Sequence, residues 1–337
     1  MLLTLGCASD PLSISQKSKP YRLLDLDWHD VRRNRSVPVR FYLPNKDLSA
    51  GKIPLIIFSH GIGGSRYGYS YLGRAWARDG FASLHLQHVG SDRRLWLSGS
   101  PFDLVNRLHE AARDSEAIAR AEDLRFALDQ ALSGDLGSFL DGDRVIAAGH
   151  SYGANTTLLV AGAQVERQGQ LLDLRDARLR AAIIISAPPF YGALSSQQIL
   201  EPIHIPSLHI TATNDVIDIP GYFSETVDRI EIFENVGSRD KMLAVFAGGS
   251  HSIFTDRAGT GGLLLNPKVK IATSQLTSAF LRSVLNGDGD DLRDWPNQHS
   301  EILSRFEATI QLQNRPYQKS CDMQKNYGRS LQLCAKC

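Results

Sequence analysis

The chain has 337 residues, and its 37 Lys plus Arg stand against 36 Asp plus Glu, a formal net charge of +1. That balance excludes nucleic-acid binding through bulk positive charge, which needs a marked basic excess or a basic stripe. With 42% hydrophobic and 22% charged residues, the composition is that of a folded globular chain, far from the disordered and disulfide-scaffold extremes.

The N-terminus, Met1-Leu-Leu-Thr-Leu-Gly-Cys7-Ala-Ser, has two readings: the apolar start of a cytoplasmic chain, or the end of an export signal before a lipoprotein-type cysteine, without the basic n-region. Residues 1–20 are expected to form a leader. Localisation stays open between the cytoplasm and, if Cys7 marks a truncated lipoprotein signal, an exported or periplasmic site. No apolar run approaches the roughly 18 residues that a spanning helix needs.

From Tyr21 the pattern becomes regular. Residues 21–28 and 37–43 alternate apolar and polar side chains around an Arg-Asn-Arg-Ser turn, which predicts an antiparallel hairpin. Ile53-Pro-Leu-Ile-Ile-Phe-Ser59 is almost wholly apolar, as a strand covered on both faces must be. A helix over 69–79 and a short buried strand over 80–86 follow. Residues 90–109 mix Trp96, Pro101 and Phe102 with charges and read as an insertion over a strand end. A long amphipathic helix is predicted over 111–132, with Arg and Glu on its outer face. Further strands are expected at 144–149, 180–186, 207–211 and 242–246, and a closing helix at 273–285. Strand and helix alternate, which implies a mostly parallel sheet with helices on both faces. There is no internal repeat.

The remaining cysteines, Cys321, Cys334 and Cys337, lie in a tail over 311–337, and none occurs between 8 and 320. The core therefore owes nothing to disulfides. In an oxidising compartment the tail has the cysteines for one disulfide and a spare thiol; as a zinc site it lacks a fourth ligand. The plain reading is a tail staple or unpaired thiols.

The chemistry concentrates in three segments. Gly149-His-Ser151-Tyr-Gly153 follows an apolar strand and precedes a helix-compatible run, so the pattern G-x-S-x-G stands in a strand-turn-helix context. A serine hydroxyl is a weak nucleophile and must be exposed on a sharp turn within reach of a base, the turn being relieved by flanking glycines. The ordinary alternative, a helix-capping serine, loses force once strand, motif and helix coincide. Gly248-Gly-Ser-His251 follows a late strand directly, which makes His251 the expected general base, then acid. His60 and His150 adjoin glycines and fit loop structure, while His85, His88, His204 and His209 lie in or beside strands and are read as packed or solvated. The imidazole needs a carboxylate to set its tautomer; Asp215, closest to the end of the 207–211 strand, is favoured, with Asp218 and then Asp173 and Asp176 as alternatives. Phe58-Ser-His-Gly-Ile62-Gly-Gly-Ser-Arg66 runs from a strand into a Gly-rich loop. The backbone N–H groups of Ile62 and Tyr152 are the expected oxyanion donors. The glycines do not form a phosphate loop, because the spacing and the lysine are missing.

With these residues in view, the sequence resembles the α/β-hydrolase superfamily, and within it bacterial predicted dienelactone hydrolases related to platelet-activating-factor acetylhydrolases. The likeness rests on Phe58-Ser-His-Gly-Ile-Gly-Gly-Ser-Arg66, Gly149-His-Ser-Tyr-Gly-Ala154, Gly249-Ser-His-Ser-Ile-Phe254 and the early Trp28-His-Asp with Arg35-Ser-Val-Pro-Val-Arg and Leu43-Pro44. It implies an α/β-hydrolase fold, with a mostly parallel central sheet, helices on both faces and an N-terminal antiparallel hairpin. It also implies Ser151 as nucleophile, His251 as base, and Ile62 and Tyr152 as oxyanion donors. Two departures qualify it. Dienelactone hydrolases carry a cysteine nucleophile, so that label does not name the substrate. The acetylhydrolase acid position, after the strand that follows the nucleophile's helix, reads Ile185-Ser-Ala-Pro-Pro here; the acid is expected after the next strand, at Asp215.

The functional expectation is a serine carboxylic-ester hydrolase acting through an acyl-enzyme on short- to medium-chain esters, lipid-like or polyester substrates included. Amide hydrolysis or acyl transfer on the same triad, and a non-catalytic ligand-binding homologue, are the alternatives. Trp96 and Phe102 are candidates to line an acyl pocket, against the plainer role of packing the insertion down. No metal or organic cofactor is implied, and oligomeric state is left open. Dividing length by about 150 suggests two domains, yet Ile62, Ser151, Asp215 and His251 must meet in one site. The expected organisation is therefore one domain over 21–310 with an insertion at about 90–109, flanked by the leader and the tail.

Overall fold

The computed structural model describes residues 20–45, 51–97 and 99–309. The leader, Cys7, and the tail with Cys321, Cys334 and Cys337 lie outside the described residues.

Thirteen strands and nine α-helices alternate along the described chain. In order they are β1 (Tyr21–Asp30), β2 (Arg35–Pro44), β3 (Ile53–Ser59), α1 (Ser70–Arg78), β4 (Ala82–Leu86), α2 (Arg94–Leu97), α3 (Leu104–Ala111), α4 (Asp114–Ser133), β5 (Leu140–His150), α5 (Tyr152–Ala161), β6 (Gln164–Arg167), β7 (Gln170–Asp173), β8 (Leu179–Ile185), α6 (Ser196–Leu200), β9 (Ser207–Asn214), β10 (Ile217–Ile219), β11 (Tyr222–Ser224), α7 (Thr226–Asn235), β12 (Lys241–Ser250), α8 (Leu265–Asn286), α9 (Asp290–Gln298) and β13 (Leu303–Ala308). Nine strands form one sheet in the order β1-β2-β4-β3-β5-β8-β9-β12-β13. Pairing from β4 through β12 is parallel. The β1–β2 hairpin joins β4 antiparallel, and β13 closes the other edge antiparallel to β12.

Every residue of β3 is buried, as its apolar run requires. Leu55 and Ile57 point into the layer with α4 (Leu124, Leu128) and α5 (Leu158), whereas Ile56 and Phe58 point into the layer with α1 (Trp76) and α8 (Phe280). This is the two-residue period of a strand feeding two separate cores. From β3 the chain steps to β4 on one side and then to β5 on the other, so the carboxyl ends of β3 and β5 flank a topological switch point, where open α/β sheets bind ligands.

Several local expectations change. Glu116, Arg120 and Asp123 of α4 are buried rather than on an outer face. Their spacing places them on the inward stripe, where Arg33 and Arg35 of the hairpin supply the opposite charge: Arg35 Nε lies 2.8 Å from Asp123 and its Nη2 3.1 Å from Glu116. The closing helix α8 starts at Leu265, well before 273, because Pro267 sits in its first turn, where a missing N–H costs no intrahelical bond. The insertion folds into α2, a 3-10 turn at Pro101–Asp103, and α3. The small hairpins β6–β7 and β10–β11 and the edge strand β13 were not anticipated. Among the described residues no helix is long and apolar enough to cross a membrane.

Candidate active site

Ser151 stands between β5 and α5 with φ 56° and ψ −126°, a conformation that side chains other than glycine rarely adopt. Its N–H donates to the Ile185 carbonyl at 2.9 Å, pinning the turn to β8. The two flanking glycines are obligatory for space: a Cβ on Gly149 would meet the Gly153 carbonyl oxygen at 2.1 Å, and one on Gly153 would meet the Ser59 carbonyl oxygen at 1.9 Å. The turn thus holds the hydroxyl clear of the backbone at the switch point.

His251 opens a short 3-10 turn directly after β12. Its Nε2 is 2.7 Å from Ser151 Oγ and its Nδ1 is 2.7 Å from Asp215 Oδ1. This geometry sets the tautomer, with Nδ1–H donating to the carboxylate and Nε2 accepting from the serine. Asp215, fully buried just beyond β9, also accepts the Thr211 hydroxyl at 2.7 Å on Oδ2 and lies 3.5 Å from an Arg229 nitrogen. Burial pushes its carboxyl up, but the hydrogen bond and charge of His251, with Arg229 behind, outweigh this and hold it well below the usual carboxylate range. Thr211 and Arg229 were not singled out from the sequence; no local pattern marks them, since both act across the end of a strand. The other acids are elsewhere: Asp218 is exposed on β10, Asp173 is exposed on β7, and Asp176 pairs with Arg178 at 2.6 Å.

His150, read as a loop histidine, supports the site from below. Its Nε2–H donates to the His251 carbonyl at 3.0 Å, and its Nδ1 accepts the Tyr69 hydroxyl at 2.8 Å. Tyr69 in turn accepts the Gly61 N–H at 3.4 Å. Burial and the neighbouring His251 push the His150 imidazole down to about 3, so it remains neutral and keeps this directional pattern.

Two cavities open beside Ser151; Ile62 lines both and Tyr152 lines the smaller. Tyr152 begins α5, so its N–H has no intrahelical acceptor. The cavity of about 190 Å³ is lined by Ile62, Tyr152, Pro188, Phe190, Ile217 and Tyr222. The one of about 520 Å³ includes Gly63, Trp96, His251 and Thr255. Trp96 reaches that wall by donating its indole N–H to the Gly63 carbonyl at 2.9 Å. Phe102, expected beside it, is 99% exposed and lines neither cavity, because the 3-10 turn at Pro101–Asp103 points it into solvent.

A second serine shows the same connectivity. His88 Nε2 lies 3.1 Å from Ser59 Oγ and its Nδ1 lies 3.0 Å from Asp123 Oδ2. All three side chains are completely buried, and Ser59 lines neither cavity beside Ser151. Burial first, then the charge of Arg120, pushes the His88 imidazole far down. The same connectivity therefore occurs at a serine without access; of the two, only Ser151 borders the cavities. Among the described residues no cluster of His, Cys, Asp and Glu is arranged to hold a metal ion.

Sheet order, switch point and the strand-turn-helix at Ser151 are those of the α/β-hydrolase fold. The family model described as platelet-activating factor acetylhydrolase, isoform II, matches residues 33–93, a segment that contains Arg35, Ile62 and His88 and ends before Ser151. Among solved structures, a ferulic acid esterase from Streptomyces cinnamoneus is similar with a TM-score of 0.62 at 20% identity, over 86% of this chain and 98% of that one. No curated protein matches this sequence.

Proposed function

We propose that the chain is a serine carboxylic-ester hydrolase, and the observation that carries this reading is the unbroken hydrogen-bonded line from Asp215 through His251 to Ser151 at the mouth of two cavities. Ser151 Oγ attacks the ester carbonyl while His251 Nε2 takes its proton, and buried Asp215 stabilises the imidazolium. The N–H groups of Ile62 and Tyr152 receive the developing oxyanion. His251 then protonates the departing alkoxide, and water, activated by the same imidazole, releases the acid. No step calls for a metal or an organic cofactor.

The leaving oxygen takes its proton from His251, so the alcohol departs through the cavity that His251 lines, of about 520 Å³. The acyl group then occupies the opposite cavity, of about 190 Å³, which suits short- to medium-chain acyl esters. Truncating Phe190, half-buried on that wall, is expected to raise kcat/KM for octanoate relative to acetate about tenfold, as one pocket-lining group does elsewhere. Paired p-nitrophenyl ester assays measure the ratio, and an unchanged ratio in Phe190→Ala refutes the acyl placement. An aromatic arm of the same panel, a ferulic acid ester, tests the substrate named for the Streptomyces relative.

Labelling with a fluorophosphonate, followed by peptide mass mapping, tests the reading itself. Modification is expected at Ser151 alone, with Ser59 untouched. Absence of labelling at Ser151 in folded protein, or modification at Ser59 instead, removes the assignment.

A further inference from the structure

Arg120 is the least economical residue in the core. It is fully buried at the middle of α4, and loss of water around its charge pushes the guanidinium down to about 10. Burying a cation costs several kcal/mol unless hydrogen bonds compensate. Yet all three of its hydrogen bonds end on neutral oxygens: Nη2 donates to the His60 carbonyl, Nη1 to Ser91 Oγ at 2.7 Å, and Nε to Thr156 Oγ1 at 3.0 Å. The charge reaches an acid at one remove, through Ser91 Oγ, which donates to Glu116 at 2.8 Å.

The oxygens it holds belong to the two segments that carry the oxyanion donors. On the loop after β3, Arg120 binds the carbonyl of His60, two residues before Ile62. Ser91 binds the other side of Ile62, its carbonyl accepting the Gly63 N–H at 2.8 Å while its hydroxyl accepts from Arg120. On α5, the Thr156 hydroxyl that accepts from Arg120 donates to the Tyr152 carbonyl at 3.1 Å. The guanidinium carbon also lies 4.4 Å from the centre of the Tyr152 ring. One planar fork therefore ties the Ile62 loop to the Tyr152 turn across the switch point, in fixed directions that an ammonium does not reproduce.

We propose that Arg120 is a positioning residue of the oxyanion hole, setting the Ile62 and Tyr152 N–H groups in register before charge develops. The inference rests on the ester-hydrolase reading of Ser151. A misaligned hole loses transition-state stabilisation while substrate binding is kept, so the effect falls on kcat.

The test uses full-length protein in three variants, with kcat expressed per active site titrated by a fluorophosphonate taken to completion. Arg120→Met is expected to lower kcat about 100-fold with KM within about threefold. Arg120→Lys, which keeps charge but not the fork, is expected to recover about a tenth of wild-type turnover. Thr156→Val, nearly isosteric, removes only the link to Tyr152 and is expected to cost about tenfold. Affinity for a trifluoromethyl ketone, whose adduct carries the oxyanion, should weaken in parallel with kcat/KM. A purely structural role would lower the titratable fraction and leave kcat per site unchanged. Wild-type kcat per site in Arg120→Met overturns the proposal, and if that variant does not fold, wild-type kcat per site in Thr156→Val does so. Turnover that survives Ser151→Ala overturns the ester-hydrolase reading instead; turnover lost in Ser151→Ala but untouched in the Arg120 and Thr156 variants overturns this inference alone.

Discussion

Ser151→Ala is expected to lower kcat for p-nitrophenyl acetate and butyrate by about a millionfold, the loss seen when a triad nucleophile is removed, since the residues of a triad act as a unit. What survives is the part supplied by oxyanion donors and binding, which does not need the hydroxyl. The fold should persist, because the structural duties of this residue lie in its backbone: the N–H bonded to Ile185 at 2.9 Å and the carbonyl that accepts the Ala154 N–H at 2.8 Å. Far-ultraviolet circular dichroism and a thermal midpoint near that of the parent would show an intact chain. Undiminished turnover in such a folded variant would sink the assignment of Ser151 as nucleophile.

Acidification is expected to unfold the protein well above the carboxylate range. His85, His150 and His209 are buried, and burial pushes each imidazole down to about 3. His60 and His88 are driven the same way by burial and by the charge of Arg120. In the unfolded chain an imidazole takes up its proton near pH 6.5. Between that value and about 3 the unfolded state binds more protons, so stability rises with pH and is lost as pH falls below 6.5. Each such group adds up to about 1.4 kcal/mol per pH unit, and three add about 4, against a typical total of 5–15 kcal/mol. Cooperative unfolding is therefore expected by about pH 5. The depressed carboxyls of Asp176 and Asp215 act in a lower window: their stabilisation is present above the ordinary carboxylate value and is lost as pH falls below it. Denaturant titrations from pH 8 to 5 measure the slope. His209→Gln, on β9 and bonded to Ser207 Oγ at 3.1 Å, should flatten the slope by about 1.4 kcal/mol per unit. A midpoint independent of pH over this range would contradict the account.

How far the sequence could be read differs residue by residue. The strand-turn-helix around Ser151 was legible because each part is local: an apolar strand, two glycines whose missing Cβ atoms make room, and a helix-compatible run. The same holds for β3, whose unbroken apolar run already states that both faces are covered. Among the acids, nearness to the end of the 207–211 strand favoured Asp215 over Asp218, Asp173 and Asp176, but proximity along the chain is only a weak guide, and the 2.7 Å contact with His251 is what separates Asp215 from the others. The short edge strand β13 and the small hairpins were overlooked for a related reason: short half-exposed strands carry weak periodicity. Phe102 shows the reverse error, a large aromatic near a strand end that the 3-10 turn directs into solvent.

Glu116, Arg120 and Asp123 mark the boundary most clearly. Read along the helix, charged residues belong outside. They are inside because Arg33, Arg35, Ser91 and His60 come from other segments to meet them, and no periodicity records that meeting. By itself the sequence determined the alternation of strands and helices, the turn that presents Ser151, and the order of serine, acid and histidine along the chain, because backbone period and turn chemistry are properties of neighbouring residues. Only the tertiary structure decided that Asp215 is the acid in contact with His251, which of two serines bonded to a histidine borders the cavities, and that a buried cation ties the Ile62 loop to the Tyr152 turn. Those outcomes depend on burial and on distances between segments far apart in the chain, which are set when the sheet and its two helical layers close.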